Sequence, residues 1–197
     1  ATALMCFGLA ELVSRGFDSF PNLIRKGDFD RILLRPRSTF LQAMTIRFHL
    51  HRLSRVVGGG ILLTVCLSLE GIRLSPLDAL MLLQAVVAGW LTYTGVFIFI
   101  CAVSFFTIQP LDWMYVFTNG SYQVAKVPYP YLPAWLKRMF TVAVPMFLFC
   151  YYPLAAICGW GEPYWMGFLA LPAGAAFFLL SKLSWNIGVR HYGSTGS

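Results

Sequence analysis

The chain has 197 residues, of which 58% are hydrophobic and 12% charged, and its mean hydropathy is +0.67. A soluble domain carries about 25% charged residues. A soluble globular enzyme, a disordered tail and a small disulfide scaffold are therefore excluded, and the chain reads as an integral membrane protein. The net charge of +7 comes from 15 Lys and Arg against 8 Asp and Glu. Nine of the cations fall between Arg15 and Arg55, beside apolar segments. That pattern suits a cytoplasmic membrane face, not a groove for nucleic acid.

The first apolar run, 1–13, is too short to cross a bilayer, which needs about 20 residues. It has no basic leader and no cleavage pattern, so it is not a signal peptide. It reads as the end of a helix whose beginning is missing, and the chain as a fragment. The basic block follows. Segment 56–72 comes next, between Arg55 and Arg73; it spans about 25 Å, enough if the flanking arginines snorkel. Gly58, Gly59 and Gly60 at its start suggest close helix packing, with a transport hinge as the alternative. Segment 79–106 is free of charge and is the clearest spanning helix. Segment 139–158 is also uncharged but contains Pro145 and Pro153, and 164–181 contains Pro172. Prolines in membrane helices often mark kinks.

The expected fold is all-α, a polytopic helical membrane protein with about four full transmembrane helices plus the end of another. The cation count places 14–55, 107–138 and the C-terminus in the cytoplasm, with 14 cations inside against one outside. Under this topology 139–158 crosses the membrane. The Phe residues at 97, 99, 105, 106, 147, 149, 177 and 178 face lipid or neighbouring helices, or line a pathway for an apolar substrate.

Candidates for chemistry are sparse. His49 and His51 are two residues apart and point away from each other on a helix, unlike an i, i+4 metal pair. Asp28 and Asp30 sit among Arg25, Lys26, Arg31 and Arg35, which suggests local charge compensation. The five cysteines, Cys6, Cys66, Cys101, Cys150 and Cys158, lie in apolar stretches and read as small buried hydrophobes. No phosphate-binding Gly-rich loop is present. The chain is expected to be no enzyme, with no catalytic, cofactor or metal residues.

The informative stretch begins at Ser19, a plausible N-cap, with Pro21 suited to a first turn and Gly27 to a helix end. A helix of about two turns over 20–26 would carry Phe20, Leu23 and Ile24 on one apolar face, with Arg25 and Lys26 near its end. Pro36 keeps Arg35 out of helical geometry and sets a corner. Such a helix either lies on anionic lipid or docks into a groove of a cytosolic partner.

The pattern Gly27-x-x-Asp30-x-x-Leu33-x-Arg35-Pro36, with Gln42 beyond it, resembles the ABC-2 type permease family, in particular a bacterial branch of about 260 residues. So do the Pro-rich run through Tyr129, Pro130, Leu132, Pro133 and Trp135, the later Pro145 and Pro153, and the ending through Trp185, Gly188 and Tyr192. The resemblance implies six membrane helices in the intact family, of which this chain would lack the first and most of the second. It implies, as the alternative to the cation-count topology, that 111–127 is the fifth spanning helix and that 139–158 is re-entrant, dipping into the outer leaflet. It also implies a coupling helix that docks on a separate cytosolic ABC ATPase. By position that role falls on Phe20, Leu23, Ile24, Arg25, Lys26 and Gly27, while Asp30, Leu33, Arg35, Pro36 and Gln42 shape the turn after it. ATP and Mg would be bound by the partner ATPase, not by this chain. A second permease subunit, identical or paralogous, and membrane lipids complete the implied partners. The implied activity is export of a hydrophobic or amphipathic substrate across the bacterial inner (plasma) membrane. Two other classes stay open: a membrane-embedded lipid-modifying enzyme using His49, His51, Asp28 and Asp30, and a non-transporting scaffold or receptor.

Overall fold

The computed structural model describes residues 1–17, 20, 29, 32, 34, 36, 38–45, 50–107 and 119–192. Every regular element among them is helical. In chain order these are α1 (Thr2–Ser14), α2 (Thr39–Thr45), α3 (Leu53–Leu69), α4 (Pro76–Ser104), α5 (Ser121–Val124), α6 (Ala134–Arg138), α7 (Met146–Cys150), α8 (Tyr152–Ile157) and α9 (Ala170–His191). Short 3-10 turns precede α3 and α9, so that three continuous helical stretches, Leu50–Leu69, Pro76–Ser104 and Tyr164–His191, are long and apolar enough to cross a membrane.

Helix α4 starts at a full capping box. The Ser75 hydroxyl accepts from the Asp78 N–H at 3.2 Å, the Asp78 carboxylate accepts from the Ser75 N–H at 2.8 Å, and Pro76 occupies the first turn. The reversal between α3 and α4 uses Gly71 at φ +66°, a left-handed conformation that costs glycine little. At 29 residues, α4 is about 44 Å long.

Helices α4 and α9 run parallel. The Tyr164 hydroxyl donates to Asp78 at 2.7 Å, and Gln84 donates to the Gly167 carbonyl at 2.6 Å. Further along, Gly174 abuts Ala88 and Thr92, Gly95 abuts Phe177, and Gly188 abuts Phe105. A Cβ at Gly174 would stand 2.7 Å from the Ala88 carbonyl oxygen, so the backbones meet where only glycine fits. The bundle thus has an Asp78 end and a Trp185 end.

Helix α1 lies along α4 in the same direction, with Cys6 beside Val86 and Gly89, and the Phe17 carbonyl accepting from Cys101. Phe7 packs on Tyr93 and Phe97, and Ser14 shares a hydrogen bond of 3.1 Å with Thr94. Helix α3 runs antiparallel to α1, with Gly8 against Arg55 and Val56, and Gly59 against Met5. Beyond that contact Ile61, Leu62, Val65 and Leu69 are exposed, as suits a helix whose solvent is lipid.

The segment after α4 departs from expectation. The chain leaves α4 at the Trp185 end, since Phe105 touches Gly188 and Trp185. Tyr122 stacks on Phe7 at mid-length, and Pro128 to Pro130 then lie beside Tyr151 and Trp160 at the Asp78 end. From there α6 widens into an i→i+5 turn over Met139–Ala143 and breaks at Val144, which is extended. The second limb, α7 and α8, meets the first at 86°. Tyr129 stacks on Tyr151 at 3.9 Å and shares a hydrogen bond with Tyr152, so the base of this hairpin is closed. Limbs of ten and twelve residues reach about 15 and 18 Å, well short of the roughly 30 Å of hydrocarbon.

Segment 139–158 is therefore not a simple crossing helix, and Lys126, Lys137 and Arg138 do not share the end that carries Arg15 and Arg55. The physical reason is Pro145, which lacks an N–H and forces Val144 out of helical geometry. Lys137 and Lys126 have local stabilisation at the Asp78 end. Lys137 donates to the Pro130 carbonyl at 3.2 Å and lies 4.9 Å from the Tyr129 ring centre, and Lys126 lies 4.6 Å from the Tyr122 ring centre.

The three consecutive glycines of α3 now separate. A Cβ at Gly59 would stand 2.9 Å from the Met5 backbone nitrogen, whereas Gly58 faces open space. Gly59→Leu should destabilise the protein by about 1–3 kcal/mol through forced separation of α1 and α3. Gly58→Leu should leave it unchanged or slightly stabilised. Melting temperatures of the two variants in detergent, followed by size-exclusion chromatography, check this.

Candidate functional site

Two clusters at the Trp185 end fasten the basic segment to the spans. The first centres on Glu11, which is 1% exposed inside α1. Its carboxylate pairs with Arg15 one turn later and with Arg55 of α3, and Arg52 stands 3.2 Å away. Arg55 also lies 5.9 Å from the Phe7 ring centre. A carboxylate at this depth is tolerable only because guanidinium groups supply both charge and directed hydrogen bonds. The cluster locks the exit of α1 to the entry of α3, the two points between which the basic segment is strung.

The second cluster is aromatic and surrounds Trp185 of α9, itself 1% exposed. Phe20 lies 4.8 Å from it, Phe105 5.3 Å, Phe17 5.4 Å and Phe40 6.1 Å, most in edge-to-face geometry. Phe29 joins through Phe20, Phe105 and Tyr192 at 5.0, 5.5 and 4.8 Å. Each such pair adds about 0.5–1.5 kcal/mol beyond the area it buries. Four rings of the segment after α1 are thereby held on the ends of α4 and α9. Close approach at Gly16, where a Cβ would collide with the Ala43 and Met44 carbonyls, seats α2 against the exit of α1.

The expected docking residues fare unequally. Phe20 does not sit on an outward face: it is fully buried in the aromatic cluster. Its ring is more stable against Trp185 and Phe29 than in water, so it anchors the segment from within. Leu23, Ile24, Arg25, Lys26 and Gly27 lie outside the described residues, as do Asp30, Leu33 and Arg35. Pro36 is exposed at a bend, and the Gln42 side-chain amide donates to the Ile32 carbonyl at 3.4 Å. Asp28 and His49 also lie outside the described residues, while His51 is exposed. Among the described residues no group of three His, Cys, Asp or Glu could hold a metal ion.

Sequence reasoning passed over Glu11. Its signal was available: one carboxylate inside an apolar run, with Arg four residues later. Trp185 was noticed only as part of an ending pattern.

Three helices long and apolar enough to cross a membrane, a bent apolar pair and a cationic segment clamped to one end define a polytopic α-helical membrane protein. A family model described as ABC-2 family transporter protein matches residues 2–196, and the chain belongs to that family. It is a membrane subunit of a transporter, in a family that works with an ABC ATPase. No curated protein and no solved structure matched the chain.

Removing the Glu11 charge leaves three guanidinium groups facing one another around a buried amide. Glu11→Gln should cost about 3–5 kcal/mol, as for other broken buried pairs. Arg52→Gln should cost less, because Arg15 and Arg55 still neutralise the carboxylate. Thermal unfolding of detergent-extracted protein and the folded yield measure the difference.

Proposed function

We propose that this chain is the permease subunit of a bacterial ABC exporter in the inner (plasma) membrane, with the Trp185 end facing the cytoplasm. The segment holding nine of the 15 cations leaves the bundle at that end, which supports this orientation. The hairpin of α6, α7 and α8 then dips in from the outer side without crossing.

Docking of the ATPase falls on Leu23, Ile24, Arg25, Lys26 and Gly27, with Asp30, Leu33, Arg35, Pro36 and Gln42 shaping the turn that follows. The observation that carries the reading is the burial of Phe17, Phe20, Phe29 and Phe40 against Phe105, Trp185 and Tyr192. A force applied between these anchors reaches the ends of α4 and α9 directly, and the Glu11 cluster passes it to α1 and α3. ATP and Mg bind to the partner ATPase, whose closure supplies the force. This chain provides the lever and the walls. Two permease subunits, identical or paralogous, enclose one pathway for a hydrophobic or amphipathic substrate.

The test is co-purification of the full-length protein with its candidate ATPase. Leu23→Asp and Ile24→Asp should each weaken association by more than about tenfold, the effect of losing 1.4 kcal/mol or more at an apolar anchor. Trp185→Ala should retain the ATPase but lose ATP-driven export, because the load is no longer passed on. Wild-type protein that binds no ATPase would overturn the exporter reading. Unchanged binding by both aspartate variants would place the docking surface elsewhere on the cytoplasmic side.

A further inference from the structure

A recess of about 640 Å³ lies between α4, the tip of the broken hairpin and α9, and extends along α9 as far as Ser184. Val96 and Phe99 form one wall, Val142 and Val144 the second, Ala176 and Leu180 the third. All three walls stand part-way along the crossing helices, at the depth of the hydrocarbon. The hydroxyls that line it have their protons committed one turn back in their own helices. Thr141 donates to Lys137 at 2.7 Å, Ser181 to Phe177 at 2.9 Å and Ser184 to Leu180 at 3.1 Å.

Water is a poor occupant of such a space, because it needs two to four polar partners. An empty recess forfeits dispersion contacts along every wall. Its size lies in the range of sites that take small ligands, roughly 300–1,000 Å³. A hydrocarbon chain satisfies all three conditions.

The mouth adds a charge. Arg138 is exposed and stands one helical turn from Thr141 and Val142, on the side of the Asp78 end. Among the described residues no carboxylate pairs with it: the ion pairs there all involve Glu11, and Asp78 is engaged by Ser75 and Tyr164. Its neighbour Lys137 is occupied by the Pro130 carbonyl and the Tyr129 ring. An apolar recess with one unpaired cation at its rim complements an amphiphile that has an anionic head and a hydrocarbon tail.

We propose that this recess binds one acyl chain of an anionic phospholipid, whose phosphate is held by Arg138 at the outer rim. The lipid is a resident ligand of the permease, and its binding requires neither the ATPase nor a transported substrate. It fills the space between the hairpin tip, α4 and α9, so that Val142 and Ala143, exposed at the tip, pack on lipid.

The experiment reconstitutes the full-length protein in nanodiscs with phosphatidylglycerol carrying a photoreactive group within its acyl chain. Labelled peptides are mapped by mass spectrometry, and phosphatidylcholine with the same chain serves as reference. Label should concentrate in 139–146 and 173–184. Phosphatidylglycerol should exceed phosphatidylcholine by about fivefold, the weight of one basic side chain at an anionic membrane surface. Arg138→Gln should abolish that preference and Arg138→Lys should restore it. Ala176→Phe should remove label from both peptides by filling the recess; the wild-type map stands on its own if that variant does not fold. Label spread evenly over the exposed face of α3 would overturn the proposal, and so would a preference that survives Arg138→Gln. A disulfide between Val142→Cys subunits would also overturn it, because a second copy of the chain would then occupy the recess.

Discussion

Two parallel helices in direct contact, α4 and α9, dictate the rest of this molecule. A chain that finishes one parallel helix at the far end of a bundle must travel back along its whole length before starting the next. In lipid that return has to satisfy its own backbone polar groups, because no water is available to do so. The protein brings its chain back past Phe7 through Tyr122, then delays the start of α9 with a hairpin whose base is tied by Tyr129, Tyr151 and Tyr152. The unwound residues Val144 and Pro145 fall where α4 and α9 can shelter them. Irregular backbone at membrane depth is tolerated under that condition.

The Trp185 end is built on a different principle. There the chain must hold a long polar segment against apolar helices, and it does so with paired charge on one side and interlocked rings on the other. Glu11 ties α1 to α3, while Trp185 and Phe105 hold Phe17, Phe20 and Phe40. Both devices are rigid and short-range. The attached segment is therefore tied at once to α1 and α3 through Glu11 and to α4 and α9 through Phe105 and Trp185.

Much of the fold was legible from hydropathy alone. The uncharged run at 79–106 became Pro76–Ser104, and 56–72 became Leu53–Leu69, because a helix in lipid must be apolar over its crossing length whatever it packs against. Direction was harder. Averaged hydropathy passes over Val144 and Pro145 without registering an 86° bend, although Pro145 stands at the break itself. Counting cations groups Lys126 and Lys137 with Arg15 and Arg55, whereas the fold sets them against tyrosine faces and a carbonyl that no count records. Phe20 shows the limit of helical-face reasoning: spacing gives it neighbours on one face but not whether that face looks outward. Glu11 was missed because a carboxylate in an apolar run reads as a blemish until its three arginines are brought to it by the fold.

The length of α4 has a consequence for the membrane itself. At about 44 Å it matches a bilayer with its headgroups included, whereas α3 with its leading turn covers about 30 Å, the hydrocarbon alone. The two helices cannot both stand upright and both be matched. Hydrophobic mismatch of this kind is relieved by tilt or by local thinning, at a fraction of a kcal/mol per ångström. The α4 and α9 pair carries the Tyr164 bond at one end and the aromatic cluster at the other. The thickness of the surrounding bilayer therefore sets the angle at which this pair stands, and with it how deeply each end is immersed.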